Sequence, residues 1–459
     1  MDAPERNDRA RQARDLVAGL APQGLRLVAL TWVDNAGITR VKAVPVDKLE
    51  AAAAWGVGMS PVFDVFVLND SITTSRFVGG PGGDLRLHPD LAMFRSLAAQ
   101  PGWGWAPVDR YNQDGTAYPA CQRTFARRMV DTARSRGIDV QMGFEIEWFV
   151  GQETAEGTVV PGCSGPAYGM TRIVELSDYI RDVTAALDAE DVDVAQVHPE
   201  YAPGQVELSI ASTDPVQAAD LSVLVRQTVR AVTQRHGMRA SFAPVVVPDL
   251  VGNGGHVHLS VWRDGRNLFA GGEGRYGLTT SGESFLAGIL EALPALCGVG
   301  APAAASYLRL VPSRWAGCFC CWGPENREAA LRFITGPVGN QEVAANAEVK
   351  CFDASANLYL LAGALIAHGL AALDESRALP DEVEGDPALI EPAELERRGV
   401  ARLPQSLADA LRHLERDTVI ADAMGGPLFE SFLAVRRAEV ELFAGSTPDQ
   451  IAAATRWRH

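Results

Sequence analysis

Residues Val140-Gln-Met-Gly-Phe-Glu-Ile-Glu-Trp-Phe-Val150 decide how the rest of the chain is understood. The run is apolar, aromatic and β-branched enough to be a strand. On a strand, side chains i and i+2 share a face, so Glu145 and Glu147 point one way. Phe144, Ile146 and Trp148 then bury the other face. Two carboxylates side by side in an apolar strand repel each other unless something cationic holds them. Taken alone, the pair is equally a solvated strand face; residues further along the chain decide between the two.

The 459 residues exceed what one compact core usually serves, so two domains are expected. A net charge of −16 without any basic block excludes a nucleic-acid-binding surface but admits a cationic substrate. The stretch Met1 to Arg14 is polar and lacks the apolar core of a secretory signal. The longest apolar run, Leu358 to Leu373, is interrupted by Gly363, His368 and Gly369. It is too short to span a bilayer and reads as a buried helix, so no membrane partner is expected. Seven scattered cysteines form no disulfide framework in a chain of this size. Cys318 and Cys321 have C-x-x-C spacing but no second pair, which reads as a buried strand rather than zinc. A reducing cytoplasm is the expected compartment.

In chain order, residues 5–20 read as a helix packing Leu16, Val17 and Leu20. Leu27 to Val33 is a strand, Asp34-Asn-Ala-Gly37 a turn and Ile38 to Val46 a second strand, followed by a short helix to Trp55. Gly79-Gly-Pro-Gly-Gly83 is a loop, and no helix follows it to make a phosphate cradle. Helices are expected over 121–136, 176–189, 215–236, 279–298, 355–375 and much of 403–443, and strands over 243–247 and 256–262. The small N-terminal domain ends at the polar cluster near Asn112, giving domains 20–112 and 113–459.

Glu200, Glu207, His256 and Glu348 share the setting of Glu145 and Glu147, a short strand or turn inside apolar surroundings. If all six converge, five carboxylates and one imidazole suit hard divalent ions such as Mg²⁺ or Mn²⁺, and the lack of thiolates speaks against zinc. Five acids are too many for one ion, which implies two or more. Arg309, Arg327 and Arg332 lie in apolar stretches and offer bidentate contacts to carboxylate or phosphate. Metal-bound phosphates flanked by guanidinium groups describe phosphoryl transfer. No Gly-x-x-x-x-Gly-Lys-Ser/Thr loop is present to hold the nucleotide.

Six ordered motifs now resemble the glutamine synthetase superfamily. They are Gly143 to Glu147, His198 to Glu207, Gly252-Asn-Gly-Gly-His256-Val-His258-Leu-Ser260, Arg309-Leu-Val-Pro, Asn326-Arg327 with Arg332, and Glu348-Val-Lys350 through Tyr359. The resemblance implies an α+β fold, with a small N-terminal β-grasp-like domain and a large α/β catalytic domain around a curved antiparallel sheet. It implies that Glu147, Glu200 and Glu207 hold the metal nearer the acceptor. Glu145, His256 and Glu348 would hold the metal on the nucleotide phosphates, with two or three ions per site. By resemblance Arg309 and Lys350 hold glutamate beside Gly252, Arg327 and Arg332 meet the transferred phosphoryl group, and His258 and Ser260 contact ATP. The implied assembly is a dodecamer of two hexameric rings, each active site completed by a neighbour's small domain.

Departures from the family pattern bear on the acceptor. Ammonia-using members hold ammonium with an Asp in a small-domain loop and a Glu soon after Arg-Leu-Val-Pro. Here Ser60 and Trp315 align with those positions, and Asp64 is a rival for the first. A pocket without both charges but with an aromatic wall favours an organic amine, a polyamine such as putrescine or spermidine, lying against Trp315. Ordinary glutamine synthetase, a ligase for a mono-amine such as ethanolamine, and a non-catalytic nucleotide-binding member are the alternatives. Val251, Asn346 and Lys350 stand where the family has Asn, Arg and Arg. No tyrosine follows Tyr359, so tyrosine adenylylation is not expected.

Overall fold

The computed structural model describes residues 3–20 and 24–459. Near the N-terminus, Leu27–Val33 pairs antiparallel with Thr39–Pro45 and parallel with Trp103–Asn112. Leu85–Pro89 and Val57–Met59 extend this sheet, and Arg95–Ser96 completes its six strands. Helices Ala3–Leu20 and Leu49–Trp55 cover it, and Leu16, Val17 and Leu20 pack onto its core as their spacing requires.

The expected hairpin turn is closed by Asp34, whose Oδ1 accepts from the Ala36 and Ile38 amides. Gly37 has φ +79°, and a Cβ there would lie 2.0 Å from the Ser355 carbonyl oxygen, so only glycine fits. Asn357 donates to the Val33 and Asp34 carbonyls from the other side. The hairpin tip is thereby locked onto the loop that follows Lys350.

The second sheet has eleven strands. Its main path runs Ala401–Arg402, Phe319–Pro324, Ala329–Ile334, Asn346–Val349, Gly255–Arg263, Asp139–Glu153, Gln205–Ile210 and Val194–Pro199. The sheet is antiparallel as expected except for one pair, Phe319–Pro324 with Ala329–Ile334, which is parallel. Cys318 and Cys321 are buried in and beside that strand with free thiols. Leu358–Leu373 is buried along nearly its whole length. Thr280–Gly300 is long and apolar enough by length and composition to cross a membrane, yet 83% of its most apolar window is packed inside the fold.

Two further expectations are revised. The strand proposed over 243–247 is irregular, and the short strand lies earlier at Arg239–Ser241. Pro244 cannot donate to a ladder. Asn253 instead takes the carbonyls, its side chain donating to Ser241 and Ala243 and its amide to Pro244. The C-terminal helical region breaks into Leu407–Leu414, Thr418–Met424 and Gly426–Leu442. Asp417 caps the second, and Gly425 at φ +77° turns the chain by 116° into the third.

Candidate active site

Strand register explains why distant residues meet. Glu145 lies opposite His256, Glu147 opposite Glu207, and Glu207 opposite His198. On the far side, His258 lies opposite Glu348, and Glu348 opposite Arg332. Direct cross-strand partners share a face, as do residues two apart on one strand. Arg332, Glu348, His258, His256, Glu145, Glu147, Glu207 and His198 therefore form one transverse strip across six strands. Phe144, Ile146 and Trp148 are buried on the opposite face.

Side-chain atoms of Glu145, His256 and Glu348 lie within 4.8 Å of one another, as do those of Glu147, Glu207 and His256, and those of His198, Glu200 and Glu207. The six acid and imidazole residues singled out from sequence thus occupy one place. His198 joins them. The donors are hard oxygens and imidazole nitrogens, which fits divalent ions such as Mg²⁺ or Mn²⁺.

The charges act on one another at short range. Burial would raise the Glu145 carboxyl, but hydrogen bonds from His256 and His258 outweigh it and hold the group far below the usual range. Burial likewise opposes ionisation of Glu348, and Lys350, His256 and His258 nonetheless bring it down to about 2. Glu200 moves the other way, pushed up to about 7 by burial and by the charges of Glu147 and Glu207. His198 Nε2 is 3.2 Å from Glu207 Oε1, and that bond raises the imidazole to about 9 against burial. Burial lowers His258, but Glu145, at 3.1 Å, raises it to about 9.

A cavity of about 1080 Å³ is lined by Glu145, Glu147, Glu200, Glu207 and His256, together with Arg309, Arg327, Arg332, Lys350, Gly252 and Trp315. Arg309 is buried, with Nη2 3.3 Å from His256 Nε2 and donating to the Lys350 carbonyl at 3.1 Å. Its Nη1 has no hydrogen-bond partner among the described residues. Arg332 binds Glu348 and Glu325, each at 3.0 Å, and Lys350 Nζ binds Glu348 at 2.9 Å. A Cβ on Gly252 would lie 2.1 Å from the Pro244 carbonyl oxygen, which fixes this residue as glycine beside Arg309. A second cavity of about 340 Å³ is lined by His258 and Ser260 and shares Glu145 with the first.

Ser60 lines neither of these cavities within this chain; its hydroxyl accepts from the Val62 amide and caps the turn Pro61–Val65. Asp64, the rival position, is fully buried against Arg110 at 2.7 Å and serves the fold. Sequence reasoning missed four cavity-lining or supporting residues besides His198. Tyr168 donates its hydroxyl to Glu200 at 2.9 Å, and Gln205 donates to Glu147 at 2.7 Å and to the Gly252 carbonyl at 2.9 Å. Tyr201 lines the mouth, and buried Glu328 accepts the Trp315 amide at 2.8 Å. His198 and Gln205 carried a local signal, standing two residues from Glu200 and Glu207 as Glu145 stands from Glu147.

Comparison with known proteins bears directly on this strip. Residues 119–453 match the family described as glutamine synthetase, catalytic domain. The chain is 54% identical to the γ-glutamylpolyamine synthetase GlnA3 of Streptomyces coelicolor over 98% of its length and 97% of that protein. It is 28% identical to the glutamine synthetase of Halobacterium salinarum, covering 95% and 94% of the two chains. The crystal structure of a novel glutamine synthase homolog superposes with a TM-score of 0.84 at 32% identity, covering 95% of this chain and 99% of the other. A GmaS/ADP complex superposes at 0.82 with 26% identity, covering 94% and 97%. The α+β architecture of two sheets is the glutamine synthetase fold, and this chain belongs to the glutamine synthetase family.

Proposed function

We propose that the protein is an ATP-dependent γ-glutamyl–amine ligase whose acceptor is a polyamine such as putrescine or spermidine. The observation that carries this reading is the pairing of an acid and imidazole cluster with an aromatic residue, Trp315, in the wall of the same cavity. Identity of 54% to a γ-glutamylpolyamine synthetase supports it.

In the first step, a γ-carboxylate oxygen of glutamate attacks the γ-phosphorus of ATP. The bond to the bridging oxygen breaks and ADP leaves. In the second, an amine lone pair forms the C–N bond at the acyl carbon of γ-glutamyl phosphate, the C–O bond to phosphate breaks with its electron pair leaving on phosphate, and the amine nitrogen gives up a proton to solvent. Arg309 and Lys350 hold glutamate beside Gly252. Arg327 and Arg332 donate to the phosphoryl oxygens, where charge is spread in the transition state. His258 and Ser260 border the smaller cavity and face the nucleotide. Glu147, Glu200 and Glu207 would hold one divalent ion and Glu145, His256 and Glu348 another, Mg²⁺ or Mn²⁺, with two or three per site. Such ions supply charge neutralisation along the phosphate chain.

The same reading divides the chain into domains 20–112 and 113–459, in a dodecamer of two hexameric rings that would bring a neighbour's Ser60 to the cavity. Free thiols at all seven cysteines suit a reducing cytoplasm. Phosphate release with ATP, glutamate and a panel of amines tests the proposal. Turnover with polyamines is expected, and turnover with ammonia alone would remove the organic acceptor.

A further inference from the structure

The mouth of the larger cavity is built from strained, exposed and firmly tied residues. Ten described non-glycine residues have positive φ, and four of them (Tyr168, Asp249, Ser313 and Trp315) line this cavity. A left-handed backbone is costly for residues with a Cβ, and it persists where surrounding contacts impose it, often at functional sites. Those contacts are visible. The Trp315 amide donates to Glu328 Oε1 at 2.8 Å, and the Ser313 hydroxyl donates to Asp386 at 2.6 Å. Arg314 donates to the carbonyls of Asp249 and Leu250 at 3.2 and 3.3 Å, tying the two mouth loops together.

These bonds fix the loop that carries Trp315. Trp315 is 54% exposed and Tyr201 58% exposed, and both line the cavity. Asp249 is also exposed and lines the same cavity, and its carboxylate forms no ion pair among the described residues. The Arg314 guanidinium at this mouth is engaged by the Asp249 and Leu250 carbonyls, which leaves two π faces and the Asp249 carboxylate to attract an organic ammonium, with the rings also covering an alkyl stem. The acids deeper in the cavity lie on the strip where the acyl group is made, so an amine reacting there leaves its other end at the mouth.

We infer that Trp315, Tyr201 and Asp249 form an outer subsite for the second ammonium group of a diamine or polyamine, with Glu328 as the positioning residue that fixes Trp315. This rests on the amine-ligase reading. It explains how an acceptor is measured by its length and second charge rather than by its reacting nitrogen alone.

The test compares butane-1,4-diamine with n-butylamine, equal in stem and differing in the second charge, on parent, Asp249→Asn and Tyr201→Leu enzymes. The KM for the diamine is expected to rise about three- to tenfold relative to that for n-butylamine, with the kcat ratio held. Equal changes for both amines, or none, would overturn the subsite while leaving the ligase intact. A parent enzyme that uses neither amine would overturn the ligase reading and the subsite together. Glu328→Ala is expected to shift the same KM ratio, with Glu328→Gln restoring it. A fall in kcat for both amines at an unchanged KM ratio would remove Glu328 from the subsite.

Discussion

Glu145 Oε2 lies 3.0 Å from His256 Nδ1, and the two residues are direct partners on neighbouring antiparallel strands. The contact is set by backbone register and not by side-chain reach. It joins the two cavities, since Glu145 lines both and His256 lines the larger.

From that junction follows an ion dependence. Mg²⁺ or Mn²⁺ is expected to raise the melting temperature, because a ligand that binds only the native state stabilises it by about 2.7 kcal/mol at a hundred times its Kd. Chelation is expected to abolish activity and the shift together. In His256→Ala the ion-induced shift should fall to a small fraction of the parent's in differential scanning fluorimetry. An undiminished shift would place the ions elsewhere.

Glu200 should stabilise the protein when its charge is removed. Its carboxyl is raised to about 7, against an ordinary value near 4.3, by burial and by Glu147 and Glu207. An acid whose folded pKa is raised loses stability as pH climbs from the unfolded value through the folded one. With ions chelated, Glu200→Gln should therefore melt higher than the parent at pH 8, and the gap should close near pH 4. The same variant should lose ligase activity.

Trp315→Glu puts a carboxylate into the wall of the proposed acceptor pocket. The mutated side chain would remain in the cavity lining beside Arg314, on a loop whose amide bond to Glu328 does not depend on the side chain. Ammonia-dependent phosphate release should appear, and kcat/KM for a diamine should fall by about tenfold or more, equal to the loss of about 1.4 kcal/mol of ring contact. Unchanged selectivity would count against Trp315 as the acceptor wall.

Asp109 ties the small sheet to the catalytic part. It binds Arg123 at 2.9 Å and Arg127 at 2.7 Å on the helix Gln122–Ser135. Burial would raise its carboxyl, but the two arginines outweigh this and hold it below the ordinary value. Its contribution is therefore present above about pH 4 and lost as pH falls through the depressed value. Asp109→Asn should cost about 3 kcal/mol at neutral pH, the usual penalty for breaking a buried pair. Urea melts should show that gap narrowing below about pH 4. Asp220, also on Arg123, is pushed up by complete burial and should not share this acid profile.

Sequence and tertiary structure contributed different parts of this picture. The alternation Phe144-Glu145-Ile146-Glu147-Trp148 set a strand with an acidic face because side chains on extended backbone alternate by steric necessity. The ordered motifs carried the fold and the six acid and imidazole residues, and the Leu358–Leu373 run announced its own burial. What no local pattern contained was register across partners 60 to 111 residues apart, which placed Glu147 against Glu207, His258 against Glu348 and Glu145 against His256. It also decided that Asp64 belongs to Arg110 and that Glu328 grips the Trp315 loop. Strand identity is a property of neighbouring residues, whereas pairing is settled only when distant strands compete for the same backbone hydrogen bonds.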